Sequence, residues 1–130
     1  MPEQGGQLHD LLRAWARGID ALEAATELLI RSGLAGPTHP WVCRAPGPAG
    51  GRAVAWIDFA AVSAYVGPMS PSERRVLLFA ASLSDVDAAP AVRLGDVTRV
   101  GPRRLELLLA ALRHAGGQRD AWRERARAGG

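Results

Sequence analysis

The chain contains no lysine and no asparagine, and its single cysteine is Cys43. One cysteine excludes an internal disulfide framework, and a lone cysteine is most often a small buried apolar residue. No run approaches the roughly 18 apolar residues of a membrane-spanning helix, because even residues 105–112 are interrupted by Glu106. The N-terminal residues have neither the basic start nor the long apolar stretch of a signal peptide. We therefore expect a soluble, cytoplasmic protein.

All sixteen basic side chains are arginines, and thirteen acidic ones leave a net charge of +3. The charge is unevenly distributed, since residues 1–92 carry seven arginines and nine acidic residues, whereas residues 93–130 carry nine arginines and four acidic residues. GC-rich coding produces the same abundance of arginine, so arginine usage alone is weak evidence for phosphate binding. The basic C-terminal part still leaves nucleic acid open as a partner.

The length of 130 residues fits one domain that buries a core without disulfides or metals. The Gly-rich residues 1–6 predict a flexible N-terminus, and residues 7–117 predict a single globular domain. Residues 118–130 follow Gly116 and Gly117 and predict a basic C-terminal tail. We expect the globular part to fold without this tail.

The longest helix pattern spans residues 8–29 and ends before Gly33, a residue type that commonly terminates helices. Gly18 lies inside the pattern and is the point at which it would break into two helices. The apolar stripe has coiled-coil spacing and consists of Leu8, Leu12, Trp15, Ile19, Leu22, Thr26 and Leu29. The stripe favours burial in the chain's own core, and the alternative is a homodimer through Trp15, Ile19 and Leu22, which Thr26 weakens.

A second helix has a complete start signal at Ser70, Pro71 and Glu73. The Ser70 side chain is expected to accept from the Glu73 N–H, while the Glu73 carboxylate accepts from the Ser70 N–H. Residues 76–81 contain no polar side chain, which predicts a central helix covered by neighbours on more than one side.

Two apolar runs flank a Pro/Gly-rich segment, and residues 41–44 and 52–57 predict an antiparallel hairpin. Asp58 is the expected N-cap of a short helix over residues 59–66.

Residues 55–83 and 91–112 resemble each other, which suggests an internal duplication. In that arrangement residues 92–94 form a strand that pairs with residues 54–57 about a pseudo-twofold axis. Chance similarity between Leu-, Ala- and Arg-rich helices is the alternative. The predicted fold is mainly α (α+β), with four to six helices and a small antiparallel sheet.

Catalytic chemistry has few candidates. His39 and Cys43 stand four residues apart and offer a thiolate–imidazolium pair, but Pro40 argues against a helix that would bring them together. His9 and His114 have no nearby cysteine, and the acidic residues close to them in sequence lack metal-ligand spacing. We therefore expect no catalytic set, no metal site and no cofactor.

The C-terminal segment carries the candidate partner-binding residues. Trp122 falls among arginines, where no apolar helix face of its own buries it, and an exposed tryptophan among guanidinium groups is typical of a docking element. The equal alternative is that Trp122 folds back on the domain. The candidates are Arg119, Trp122, Arg123, Arg125 and Arg127.

Several short patterns lie between residues 54 and 117. They are Trp56-Ile57-Asp58, Ser70-x-x-Glu73-x-Arg75-Val76-Leu77, Ala80-Ala81-Ser82-Leu83 and His114-Ala115-Gly116. This arrangement resembles small uncharacterised actinobacterial proteins of unknown function, and the resemblance implies no catalytic residues.

We expect a non-catalytic interaction or adaptor module that binds a protein partner. The alternative is a nucleic-acid-binding protein using the Arg-rich C-terminal region, and an enzyme is less favoured.

Overall fold

The computed structural model describes residues 2–123, which form five α-helices, two short 3₁₀ helices and one β-hairpin. The helices are α1 (Pro2–Ala16), α2 (Asp20–Arg31), α3 (Pro71–Leu83), α4 (Leu94–Val97) and α5 (Pro102–Ala115). The strands are β1 (Val42–Ala45) and β2 (Val54–Ile57), and the 3₁₀ helices are Pro48–Gly50 and Phe59–Tyr65. The predicted fold class is confirmed. Helix α1 begins at Pro2, within the stretch that the sequence predicts to be flexible.

The long N-terminal pattern is two helices that break at Gly18. Gly18 has a φ of +100°, a conformation that side chains with a Cβ rarely adopt, so the chain turns there between α1 and α2. Helix α2 ends where predicted, at Gly33, with φ +79°. The Gly33 N–H donates to the Ile30 carbonyl at 3.3 Å and the Leu34 N–H to the Leu29 carbonyl at 2.8 Å, the paired bonds of a Schellman motif.

Helix α3 begins as the sequence predicts. The Ser70 Oγ accepts from the Glu73 N–H at 3.2 Å, and Pro71 occupies the first helical position. The Glu73 carboxylate accepts from the Ser70 hydroxyl at 3.2 Å instead of from the Ser70 backbone N–H. Helix α3 packs against α2, α4, α5 and the 3₁₀ helix Phe59–Tyr65, so the prediction of cover on more than one side is confirmed.

The predicted hairpin is present and antiparallel, with Val42 opposite Ile57 and Ala45 opposite Val54. The Asp58 N–H extends the ladder by donating to the Trp41 carbonyl at 2.9 Å. Asp58 is the N-cap residue of Phe59–Tyr65, as predicted, but its side chain makes no capping hydrogen bond.

The predicted strand at residues 92–94 is wrong. Among residues 2–123 the sheet has two strands, β1 and β2, and Leu94 opens helix α4. The Asp96 N–H donates to the Arg93 carbonyl at 3.0 Å, so the local backbone bonds are those of a helix start. The pairing about a pseudo-twofold axis is therefore not found in the described part of the chain.

The core lies between the four helices α1, α2, α3 and α5, the hairpin and the 3₁₀ helix Phe59–Tyr65. Its largest fully buried side chains include Phe59, Leu8, Leu12, Leu28, Leu29, Leu77 and Leu108. Helices α2 and α5 are antiparallel, because Glu23 contacts His114 near the end of α5, whereas Arg31 and Ser32 share a depression with Arg103 and Arg104 at its start. No helix within residues 2–123 is long and apolar enough to cross a membrane.

Candidate functional site

The segment that follows α5 turns back onto the domain. Gly117, at φ +108°, ends the helix, and the Gly117 and Gln118 N–H groups donate to the carbonyls of His114 and Arg113, both at 2.9 Å. Ala121 is buried, and Trp122 packs against the core. Residues 118–123 therefore lie along α2 and α5 instead of projecting away from them.

Trp122 is held by both helices. Its indole Nε1–H donates to His114 Nδ1 at 2.8 Å, and the Arg31 guanidinium lies 5.1 Å from the centre of its ring. Arg31 also donates to the Trp122 carbonyl at 3.3 Å. Of the two alternatives that the sequence leaves open for Trp122, the structure has the one in which it folds back, with the ring half-buried.

The Trp122 contact determines the protonation pattern of the neutral His114 ring. An indole N–H only donates, so Nδ1 must be the acceptor and the ring proton lies on Nε2. Nε2 is 3.1 Å from Glu23 Oε1, to which it donates. Trp122, His114 and Glu23 thus form one chain of hydrogen bonds that links the C-terminal segment to α2.

Arg119 joins the same group of side chains. One of its terminal nitrogens is 2.6 Å from Asp20 Oδ1 and the other is 2.9 Å from Glu23 Oε1. Asp20 and Glu23 lie three residues apart in the first turn of α2, where neighbouring side chains share a face and the helix dipole favours negative charge. We call Asp20, Glu23 and His114 the carboxylate–histidine cluster.

Glu23 is the centre of this cluster. Burial by itself raises the pKa of Glu23, but the Gly18 N–H at 2.8 Å, His114 and Arg119 together lower that pKa below its ordinary value. The Glu23 carboxylate is therefore ionised at neutral pH, and each of its oxygens has a donor.

The cluster has the donor types of a metal site, with one ligand atom from each residue and all three within 4.8 Å of one another. Arg119 already supplies positive charge to both carboxylates. A metal ion on His114 Nε2 would move the ring proton to Nδ1, which then could not accept from Trp122. Metal binding would therefore require both Arg119 and Trp122 to leave, so Arg119 is the cation that fits this arrangement.

A second ionic group lies one turn further along α2. Glu27 accepts from Arg13 at 2.9 and 3.0 Å and from Arg31 at 2.7 Å. Burial raises the pKa of Glu27, and these two guanidinium groups lower it by more, so the net shift is downward. The Glu27 to Arg31 pair is the i,i+4 contact that stabilises helix surfaces.

Between the two groups is a cavity of about 190 Å³, which we call the charged cavity; it is lined by Arg13, Ala16, Arg17, Glu23, Thr26, Glu27 and His114. Thr26 is 1% exposed, and within residues 2–123 its hydroxyl has no hydrogen-bond partner. A buried hydroxyl without a partner destabilises the fold, and it leaves a donor and acceptor free for a group that enters the cavity.

On the other side of Trp122, three open depressions are each lined in part by Arg31. Their charged residues are Arg31, Arg103, Arg104, Arg119 and Arg123, with Glu106 and Asp120 as the acidic ones. We call this surface, with Trp122, the arginine face. In residues 2–123, no acidic group lies within 4.0 Å of the guanidinium nitrogens of Arg103, Arg104 or Arg123. All three side chains are exposed.

The sequence-predicted partner-binding residues are only partly brought together. Arg119, Trp122 and Arg123 share the arginine face, but Arg119 and Trp122 are also bound to the domain. Arg125 and Arg127 lie outside the described residues. Arg31, Arg103 and Arg104 were not predicted, because the antiparallel packing that brings the end of α2 beside the start of α5 is not visible in the sequence.

The predicted self-association residues do not form one stripe, because the helix breaks between Trp15 and Ile19. Trp15 stacks on Phe59 with ring centres 6.5 Å apart and is partly exposed. Ile19 is 59% exposed, whereas Leu22 is buried in the core. Of the three, Ile19 offers the most surface to a second molecule.

His39 and Cys43, the pair that the sequence offers as a thiolate and an imidazolium, each make other contacts. His39 Nδ1 accepts from the Gly36 N–H at 2.8 Å, and the His39 ring stacks on Trp41. Cys43 lies in β1 opposite Trp56. Burial and the nearby Asp58 carboxylate raise the pKa of the Cys43 thiol, which disfavours the thiolate that a nucleophile requires.

Comparison with protein-family models, curated proteins and solved structures finds no match. The resemblance to small actinobacterial proteins therefore stays a prediction.

Proposed function

We propose that this chain is a small non-catalytic interaction module that binds an acidic segment of a protein partner on its arginine face. The observation that carries the proposal is the convergence of five arginines and a half-buried tryptophan on one surface. Two of these arginines, Arg31 and Arg119, are paired with carboxylates of α2, and the other three have no carboxylate within 4.0 Å among residues 2–123. Arginine and tryptophan are the side chains most enriched where interfaces bind tightly. We also propose a cytoplasmic location, which is favoured by a chain whose single cysteine forms no internal disulfide.

The arginine face combines arginines whose side chains are held by other residues with arginines that are exposed. Arg31 is held between Glu27 and the Trp122 ring, and Arg119 is held by Asp20 and Glu23. Held guanidinium groups lose less conformational entropy on binding than free ones. Arg103 and Arg104, at the start of α5, are exposed and pair with no carboxylate of residues 2–123. Their charge would steer an acidic partner and form bidentate contacts with its carboxylates.

Trp122 supplies the apolar part of the surface. Leu107, Ala110 and Ala121 line the same depression, so an aromatic or aliphatic side chain of the partner has an apolar contact beside the charges. A surface with charge alone would bind weakly at physiological salt, because exposed ion pairs contribute little. We therefore propose an acidic partner segment that also carries an apolar residue.

Nucleic acid is the second candidate, and one observation favours it. A half-buried indole ring among guanidinium groups is also the surface on which an unpaired base stacks while its phosphates are neutralised. The two candidates differ in salt dependence. Phosphate binding loses affinity steeply with salt, whereas a peptide anchored on Trp122 retains its apolar contribution.

The test is fluorescence anisotropy with two labelled probes, a glutamate-rich peptide containing one leucine and a single-stranded oligonucleotide, each at low and physiological salt. We expect the peptide to bind, and Arg103→Gln with Arg104→Gln to weaken it several-fold. Arg52→Gln with Arg44→Gln, which removes the same charge from the exposed hairpin, is the control and should have little effect. Equal loss in the control would show non-specific charge attraction and refute a defined face. Tighter and steeply salt-dependent binding of the oligonucleotide would transfer the proposal to nucleic acid.

A further inference from the structure

The charged cavity is lined by both signs of charge, and each sign comes from its own part of the chain. Arg13, in α1, and Arg17, which follows α1 directly, contribute two guanidinium groups. Helix α2 contributes the carboxylates of Glu23 and Glu27. With the His114 ring neutral, these four charges cancel. The lining therefore has no net charge, although it offers both cations and anions to a molecule that enters.

The α2 side of the cavity has room for three further hydrogen bonds from donors. A carboxylate oxygen can accept about two hydrogen bonds. Among residues 2–123, Glu23 Oε2 accepts from the Gly18 N–H at 2.8 Å, and Glu27 Oε1 accepts from Arg13 Nε at 2.9 Å. Thr26 shares their face of α2, and its buried hydroxyl oxygen has no partner in that part of the chain. Two carboxylate oxygens and one hydroxyl oxygen can thus each accept one more hydrogen bond.

The opposite side of the cavity has a guanidinium group outside the ion pairs. Arg13 is bonded to Glu27, whereas the exposed Arg17 has no carboxylate of residues 2–123 within 4.0 Å of its nitrogens. Glu23 lies one turn before Glu27 in α2, but its ion pair is with Arg119. A guanidinium group at the edge of a cavity binds a carboxylate through two parallel hydrogen bonds.

The size of the cavity limits the molecule that fits. Its volume is about 190 Å³. A cavity of about 150 Å³ holds benzene, so about six or seven non-hydrogen atoms can be accommodated here. Ala16, which is 1% exposed, is the apolar part of the lining. A buried hydroxyl without a partner, such as that of Thr26, is uncommon in folded proteins, and a donor from a bound molecule would satisfy it.

We propose that the charged cavity binds a free α-amino acid with a small side chain. The ammonium group has three N–H donors, one for each of Thr26 Oγ1, Glu23 Oε2 and Glu27 Oε1, and the carboxylate accepts from Arg17. Such a zwitterion has no net charge, like the lining itself. A simple anion would face two carboxylates, and a simple cation would face two guanidinium groups. The cavity shares no lining residue with the arginine face, so this inference is independent of the acidic partner.

The test compares three probes with the full-length, ¹⁵N-labelled chain in nuclear magnetic resonance titrations. They are L-alanine, propionate, which lacks the ammonium group, and ethylamine, which lacks the carboxylate. We expect alanine to shift the Thr26 amide signal saturably. Propionate and ethylamine should each bind at least about tenfold more weakly, because each leaves a charged hydrogen-bonding group of the cavity without its partner. Absence of a saturable shift with alanine would overturn the proposal, and so would equally tight binding of either analogue.

Two variants locate the binding. Thr26→Val keeps nearly the same shape and removes the unpartnered hydroxyl, so it should weaken alanine binding several-fold without lowering Tm. Arg17→Gln changes an exposed side chain and should leave alanine binding no tighter than ethylamine. Arg52→Gln, which removes an exposed arginine from the hairpin, is the matched control and should have no effect. Alanine binding that is unchanged in both Thr26→Val and Arg17→Gln, or weakened equally by Arg52→Gln, would place it outside the charged cavity and refute the proposal. If Thr26→Val is unfolded, Arg17→Gln decides by the same comparison.

Discussion

Replacing Trp122 by alanine tests whether the C-terminal segment is part of the folded domain. The change removes the hydrogen bond to His114, worth about 1 kcal/mol, and the contact with the Arg31 guanidinium, worth about 0.5–1 kcal/mol. Burial of part of a large aromatic ring adds about 1.5 kcal/mol. We therefore expect Trp122→Ala to lower the free energy of unfolding by about 3 kcal/mol, and to lower Tm by roughly 10 °C in a chain of this length.

Urea unfolding followed by circular dichroism measures the effect, and two variants identify its origin. Trp122→Phe keeps a ring but loses the N–H, so it should lose about 1 kcal/mol through the unpaired His114 nitrogen. Leu94→Ala removes a side chain that is 81% exposed and should change stability by less than about 0.5 kcal/mol. If Trp122→Ala is as mild as Leu94→Ala, the segment does not stabilise the domain, and the expectation from sequence that the globular part folds without it would stand.

Three further predictions concern the hairpin, the start of α3 and the acidic groups. Gly47→Ala places a Cβ in steric conflict with the Arg52 carbonyl oxygen, so it should cost about 2–3 kcal/mol in thermal unfolding, whereas Gly67→Ala, whose Cβ would meet none of the described residues within 4 Å, should be neutral; equal effects would contradict the close approach. Ser70→Ala should lose about 1 kcal/mol in the same assay, and no loss would mean that the Glu73 N–H finds another acceptor. Glu23 and Glu27 have lowered pKa values when folded, so their stabilisation is present above the unfolded pKa and is lost as the pH falls from about 5 through the folded values. Glu23→Gln and Glu27→Gln should each flatten this acid limb in urea titrations against pH, and an unchanged limb would refute the assignment.

Local patterns were sufficient for most of the secondary structure. Gly18 and Gly33 mark the ends of helices because each adopts a positive φ, and that preference is a property of the residue itself. The hairpin follows from two apolar runs around a Pro/Gly-rich turn, and α3 follows from its Ser-Pro-x-Glu start. Each of these features depends on residues close together in the chain.

The strand predicted at residues 92–94 shows where local patterns fail. A short apolar run has no stable extended form without a partner, and in residues 2–123 the edges of β1 and β2 pair only with each other. The similarity of residues 55–83 to residues 91–112 led us to predict that residues 92–94 pair with residues 54–57, and the structure does not contain this pairing.

The carboxylate–histidine cluster depends on contacts that no local pattern contains. Glu23 and His114 are 91 residues apart, and they meet because α2 and α5 pack antiparallel. The three-residue spacing of Asp20 and Glu23 was visible, but the identity of their partner was not. From the sequence, Trp122 could be either exposed or folded back on the domain. The contacts of its ring with His114 and Arg31, which lie far from it in the chain, show that it is folded back.

The most direct test of the proposed function is a nuclear magnetic resonance titration of the ¹⁵N-labelled chain with the glutamate-rich peptide. The Trp122 indole N–H and the arginine side-chain N–H groups of the arginine face are the reporters. Binding on this face should shift the signals of Trp122, Arg103 and Arg104 together and saturably, while the Trp41 indole, buried and bonded to the Leu34 carbonyl at 2.7 Å, stays unchanged. Shifts confined to other surfaces, or no shift at saturating peptide, would contradict the proposal that the arginine face is the binding surface.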